Sequence, residues 1–194
     1  MIKYPNKKTL YETKKISTKN RGMTFEALID ETNTFYRLNH KAVVHKKPTP
    51  IQIVNVDYPR RASAKITEAY YKTPSTTDYN GLYKGLYIDF DVKESRSSTA
   101  FPLKNIHPHQ IEHLKAVNAH GGIAFILIYF KVYEEIYFVN YQLLEKYFKR
   151  SKKGRKSITY QELKDEAILI EQSYRPTIPY LKAIDQYLKN KSQM

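Results

Sequence analysis

The chain contains no cysteine. That excludes a disulfide framework and any thiolate metal site, and it leaves a cytoplasmic location as the default expectation. No apolar run is long enough for a membrane. The longest, over 123–130, falls far short of the roughly 20 residues that a spanning helix needs. Residues 1–20 carry six lysines but no apolar stretch of the secretion-signal kind. No internal repeat and no linker divides the 194 residues into two domains. Acidic residues are also short, with 19 Asp and Glu against 33 Lys and Arg, a net charge of +14. Such a surplus calls for a polyanionic partner, because each phosphate that a cation neutralises releases condensed counterions. No helix sets an apolar face against a basic one, so nucleic acid is favoured over a membrane surface.

What is present suits one folded domain. Apolar residues make up 41% and aromatic residues 13%, too many for a disordered chain. Residues 1–19 read as a flexible basic arm and 20–190 as the folded domain. A helix is expected from near Asn20, with Phe25, Leu28, Ile29 and Thr32 at helical spacing. Strands are expected over 42–45 and 51–56. Residues 58–69 have no sustained apolar face and are rich in small and basic residues, so they should project into solvent. Two strands follow, 78–83 and 87–93, joined by a tight turn at Lys84 and Gly85. A helix over 107–120 stops at Gly121 and Gly122, and the apolar run 123–130 reads as a central strand paired with 136–139. Short helices are expected over 141–148, 160–166 and 180–188. The segment 149–156 holds six cations in eight positions and reads as a solvated loop, with tracking of a nucleic-acid backbone as the other reading. The order of elements gives an α/β fold around a single mixed sheet flanked by helices.

The chemistry concentrates in two neighbouring strands. Side chains alternate along a strand, so Asp89, Asp91 and Lys93 share one face while Val92 points to the other. Asp78 begins the preceding strand, and the hairpin can set it beside Asp91. Two such carboxylates form an oxygen-ligand site suited to Mg²⁺. A lysine two residues on can orient or deprotonate a water, or steady charge on a phosphorane. Asp-x-Lys alone is a weak pattern. A convincing strand, a preceding aspartate and a basic chain strengthen it.

The block from Ser75 to Ser95, Ser-Thr-Thr-Asp-Tyr-Asn-Gly-Leu-Tyr-Lys-Gly-Leu-Tyr-Ile-Asp-Phe-Asp-Val-Lys-Glu-Ser, closely resembles the signature of the RecU Holliday junction resolvases, members of the PD-(D/E)XK nuclease superfamily. The resemblance continues in Asn20-Arg-Gly-Met-Thr-Phe-Glu26, in the run from Val56 to Ala62, in Thr99-Ala-Phe-Pro-Leu103, and in His109-Gln110 followed by Ala119-His-Gly-Gly122. It implies a restriction-endonuclease-like core with a protruding stalk at about residues 56–72. It implies Asp78, Asp91 and Lys93 as catalytic residues. It further implies a Mg²⁺ site, with Mn²⁺ able to substitute, formed by Thr76, Asp78, Asp91 and Gln110. DNA contacts are expected at Arg21, Arg60, Arg61 and Lys65. The implied activity is resolution of four-way DNA junctions by paired symmetric nicks, in recombination and repair. The chain is then expected to be a homodimer in the nucleoid, with recombinase and branch-migration proteins as partners. One position departs: the family usually has Glu where this chain has Asp91, which retracts the carboxylate by one methylene.

Two rival readings stand beside this one. His109-Gln-Ile-Glu112-His113 matches the inverted zinc-protease motif, with two histidines at i and i+4. No further acidic ligand stands out beyond the cluster Glu162, Asp165 and Glu166, and a protease has no use for the charge. The other rival is a non-catalytic protein that binds branched DNA, which would need the charge but not Asp78, Asp91 and Lys93.

Overall fold

The computed structural model describes residues 23–193 apart from 59, 61, 62 and 73–75. The basic arm, Arg21 and Arg61 therefore lie outside the described residues.

The first helix, α1 (Phe25–Leu38), starts five residues later than the apolar spacing suggests. The reason is local: the Thr24 hydroxyl accepts the Ala27 N–H and caps the helix there. Its buried positions, Phe25, Ile29, Thr32, Asn33 and Tyr36, form one helical stripe. After β1 (Val43–Lys46) the chain leaves the body as β2 (Ile51–Asp57) and returns as β3 (Lys65–Tyr71). These two pair only with each other, in an antiparallel ribbon with irregular register around Asn55. Nearly every ribbon residue is exposed, Ile51, Ile53, Val54, Ile66, Tyr70 and Tyr71 included. The projecting segment is thus the outer part of a ribbon that begins at Ile51. The expectation of a separate strand at 51–56 merges with it.

The main sheet is completed by β4 (Tyr79–Tyr83), β5 (Leu86–Ser95), β7 (Ile123–Phe130), β8 (Glu135–Asn140) and β10 (Ile168–Ile170), in the order β1-β4-β5-β7-β8-β10. Only β5 and β7 are parallel, so the sheet is mixed. Between them the chain makes the short strand β6 (Ala100–Pro102) and the crossover helix α2 (Pro108–Ala119). β7 is apolar throughout because both its faces are covered. Phe125 and Leu127 join the core formed with α1 and α5 (Tyr180–Ser192). Ala124, Ile126 and Ile128 join the core on the opposite face, with α2, α3 (Tyr141–Ser151) and α4 (Tyr160–Glu166). In the first core an aromatic ladder crosses four strands, Tyr79 on Phe90 at 5.0 Å, Phe90 on Phe125 at 4.6 Å and Phe125 on Phe138 at 4.6 Å. Such pairs fix strand register as well as adding contact.

The segment 149–156 is only partly a loop. Lys149 and Arg150 belong to the last turn of α3, where cations suit the helix dipole. Lys149 pairs with Glu145 at 2.8 Å, and Arg150 is clamped by Glu162 and the Ser157 carbonyl. Among the described residues, no helix is long and apolar enough to cross a membrane.

Candidate active site

The tight turn at Lys84 and Gly85, both with positive φ, folds β5 back against β4. The ladder opposes Tyr79 to Phe90, so the next step places Asp78 opposite Asp91. Alternation does the rest. Ile88, Phe90 and Val92 enter the α1/α5 core, and Asp89, Asp91 and Lys93 take the other face, beneath α2. The helix arrives with Gln110 in its first turn, since α2 begins at Pro108 after the N-cap residue His107.

Asp91 is the centre of this arrangement and is wholly buried. The Gln110 side-chain amide donates to its Oδ2. The Lys93 ammonium stands 3.0 Å from its Oδ1, outside hydrogen-bond geometry, and Oδ1 accepts no hydrogen bond. Burial is the main cause that lifts the Asp91 pKa to about 6; the Asp78 charge adds to it and the Lys93 charge opposes it. Lys93 is 17% exposed, enough to face a pocket of about 560 Å³. Asp78, His107, His109 and Gln110 line the same pocket, and Tyr71 and Lys72 close it from the base of the ribbon. His107 and His109 stack at 5.5 Å, and burial, with His107 and Lys93 nearby, holds the His109 imidazole below its usual range.

The residues expected from the sequence fall into three groups. Asp78, Asp91, Lys93 and Gln110 come together. Thr76 lies two residues before Asp78 in the chain, and its hydroxyl donates to the Thr77 carbonyl at 3.2 Å. Arg60 and Lys65 are exposed at the outer part of the ribbon. The three residues of the zinc-protease motif diverge: His109 lines the pocket, Glu112 is exposed and His113 Nε2 lies 3.0 Å from Asp89. Among the described residues, no three His, Cys, Asp or Glu side chains gather to hold a metal.

A hard cation fits what is there. Two carboxylates share the site, Asp91 carries a buried oxygen without a hydrogen-bond donor beside the Lys93 ammonium and the Gln110 amide, and Asp78 lines the pocket at its edge. The Gln110 carbonyl oxygen now accepts the His107 N–H at 3.1 Å, so ligation through it requires the amide to turn over.

Sequence reasoning missed what lies behind the site. Asp89, also wholly buried, is met by Lys47, Thr77, Tyr87 and His113. The signal for it was its position two residues before Asp91, on the same face. The contributions of Tyr71 and Lys72 to the pocket had no signal of their own.

The chain is similar to known proteins. The family described as recombination protein U, RecU, matches residues 20–186. A Holliday junction resolvase RecU of Bacillus licheniformis is 52% identical, over 96% of this chain and 97% of that one. That of Bacillus pumilus is 49% identical over 95% of each chain. A solved structure of Archaeoglobus fulgidus Hjc, a Holliday junction resolvase, aligns with 74% of this chain and 93% of that one, at 10% identity and a TM-score of 0.43. A family match across nearly the whole folded region, with relatives about half identical from end to end, makes this chain a member of the recombination protein U family.

Proposed function

We propose that this chain is a magnesium-dependent endonuclease that resolves four-way DNA junctions by paired nicks in recombination and repair. The observation that carries the reading is the buried Asp91 carboxylate, with its undonated Oδ1, held between Lys93, Gln110 and Asp78 at the edge of an open pocket. The relatives named as junction resolvases supply the substrate class.

Asp78 and Asp91 would hold the cation, with Gln110 and, after a rotation, the Thr76 hydroxyl completing its oxygen set. Mg²⁺ so bound supplies charge for the phosphate and acidifies a water, and Mn²⁺ can replace it. Lys93 projects from the same strand face as Asp91 and reaches the pocket. There it orients the attacking water and stabilises the negative charge that grows on the phosphoryl oxygens. Water oxygen bonds to phosphorus as the bond to the leaving sugar oxygen breaks, and one strand is nicked. His109 and Lys72 frame the mouth where the phosphate backbone would enter.

Four-way junctions must be cut at two symmetric phosphates to leave ligatable duplexes. One site per chain therefore favours a homodimer with twofold symmetry. The β2–β3 ribbon, exposed on nearly all positions, serves as the stalk that enters the junction centre, with Arg60, Arg61 and Lys65 against converging phosphates. The setting for this work is the nucleoid, in the cytoplasm.

The test is a metal series with a variant. Mg²⁺ and Mn²⁺ are expected to support cleavage and Ca²⁺ only binding, because Ca²⁺ fills an oxygen site without strict octahedral geometry. Asp78→Ala is expected to bind junctions and not cut them. A wild-type chain that binds but never cuts with either metal would instead be a non-catalytic branched-DNA binder.

A further inference from the structure

We propose that Asp89 is a positioning residue, a buried carboxylate hub that fixes the metal ligands Asp78 and Gln110 from behind; this rests on the metal-dependent reading above. Asp89 is 0% exposed. Burying an ionised carboxylate costs several kcal/mol unless donors replace the water it gives up. Here donors come from four separate stretches of chain. The Lys47 ammonium lies 3.0 Å from Oδ2, the Tyr87 hydroxyl donates to Oδ2 at 2.7 Å, and His113 Nε2 lies 3.0 Å from the same oxygen. The Thr77 hydroxyl donates to Oδ1. Lys47 also reaches the Thr77 hydroxyl at 3.2 Å, so three of the groups close a ring.

Three of the four partners are tied to a residue of the metal site. Thr77 sits between Thr76 and Asp78 in the chain. The Lys47 backbone N–H donates to the Asp78 carbonyl at 2.7 Å, so one residue anchors Asp78 through its main chain and Asp89 through its side chain. His113 lies one helical turn beyond Gln110 and pins the same face of α2 onto β5. Asp89 itself stands two residues before Asp91. The hub thus grips the approach to β4, the strand β5 and the helix α2, the three stretches that carry the site, and ties them to the end of β1.

Stability alone does not call for charge at this place. Well-packed apolar residues often hold as well as a buried ion pair, and the opposite face of β5 is made that way, with Ile88, Phe90 and Val92. A carboxylate with four fixed donors differs in one respect: it is satisfied in a single arrangement of the segments that supply them. That property belongs to outer partners of metal ligands, whose removal typically costs about 10- to 100-fold in metal affinity or activity.

The experiment measures Mn²⁺ affinity of the full chain without DNA, by electron paramagnetic resonance, for the wild type and Asp89→Asn. Circular dichroism and melting establish that the variant is folded. The Mn²⁺ dissociation constant is expected to rise about 10- to 100-fold. The metal concentration for half-maximal junction cleavage is expected to rise in parallel, with the rate at saturating metal largely recovered. Junction binding in a chelator is expected to stay unchanged. A folded Asp89→Asn with wild-type Mn²⁺ affinity overturns the proposal, whatever its melting temperature. Should Asp89→Asn fail to fold, His113→Ala and Tyr87→Phe, which remove partly exposed donors, carry the test, and unchanged Mn²⁺ affinity in both overturns it. A wild type that binds Mn²⁺ but never cuts junctions defeats the endonuclease reading and leaves the hub standing.

Discussion

Asp91 sets the pH behaviour of the site. Its carboxyl is raised to about 6, and a cation requires it ionised. At low Mg²⁺, cleavage is therefore expected to fall as pH drops through about 6, and saturating Mg²⁺ should push that limb to lower pH by competing with the proton. The stability effect has the opposite sign. A raised carboxyl favours folding below its unfolded pKa, and that contribution is lost as pH rises through about 6, so Asp91 costs stability at neutral pH until metal binds. An acid limb that ignores Mg²⁺ concentration would remove Asp91 as a ligand. Lys93→Ala is expected to slow cleavage by a factor on the order of 10² at saturating metal and to leave chelator-phase junction affinity intact. Affinity falling as far as rate would make Lys93 a plain phosphate contact. The variant should also raise the Asp91 pKa further, since the Lys93 charge now lowers it. Asp78, Asp91 and Lys93 were legible because two-residue alternation and one tight hairpin fix their faces. Gln110 was legible only through resemblance, as nothing in helix periodicity says which strand it meets. The Asp89 hub was not legible, because Lys47, Thr77, Tyr87 and His113 converge from distant parts of the chain.

Among the elements, the ribbon β2–β3 is the most separable. It pairs with no strand of the main sheet and exposes both faces, so little core depends on it. Excising residues 56–66 behind a short turn, with the Asn55–Glu68 hydrogen bond at 3.0 Å retained, is expected to leave the fold of the main sheet in place, as circular dichroism and melting would show. Preference for a junction over linear duplex should disappear while nicking of duplex survives. Undiminished preference in the shortened protein would show that the ribbon does not read the branch. Exposure on both faces leaves neither strand an alternation to read; β2 still showed through its β-branched run Ile51-Gln-Ile-Val54, whereas β3 has no such run. β6, β9 (Ser157–Thr159) and β10 escaped for another reason, being three residues each, too short for any period. The longer elements α1, β5, β7 and α2 were readable in kind and approximate place, α1 with its start set five residues too early. In the basic segment the structure separates two kinds of cation. Lys149 and Arg150 are neutralised by Glu145 and Glu162, whereas Lys152 and Lys153 make no ion pair among the described residues. Lys152→Gln with Lys153→Gln is expected to flatten the salt dependence of DNA binding by up to about 2 units of log–log slope, roughly 0.9 for each phosphate that is no longer neutralised. An unchanged slope would make this loop a solvated surface only.

For the whole molecule, the net charge of +14 and the fold suit the proposed task of holding a densely charged polymer over a buried carboxylate. The proposed paired cuts would require two such sites at once, and sedimentation is expected to show a dimer at micromolar concentration. A strictly monomeric chain with full activity would contradict that part. The charge and the α/β class were evident in composition and element order. Composition leaves the pairing of chains open, since an apolar fraction of 41% suits a monomer and a dimer equally well. The most direct measurement of the central claim uses a synthetic mobile four-way junction and a linear duplex of the same sequence, each incubated with the protein and Mg²⁺ and resolved on a denaturing gel. Symmetric nicks in two strands of the junction, with the duplex left largely whole and no nicking by Asp78→Ala, are expected. Equal cutting of both substrates, or nicking that persists in Asp78→Ala, would contradict it.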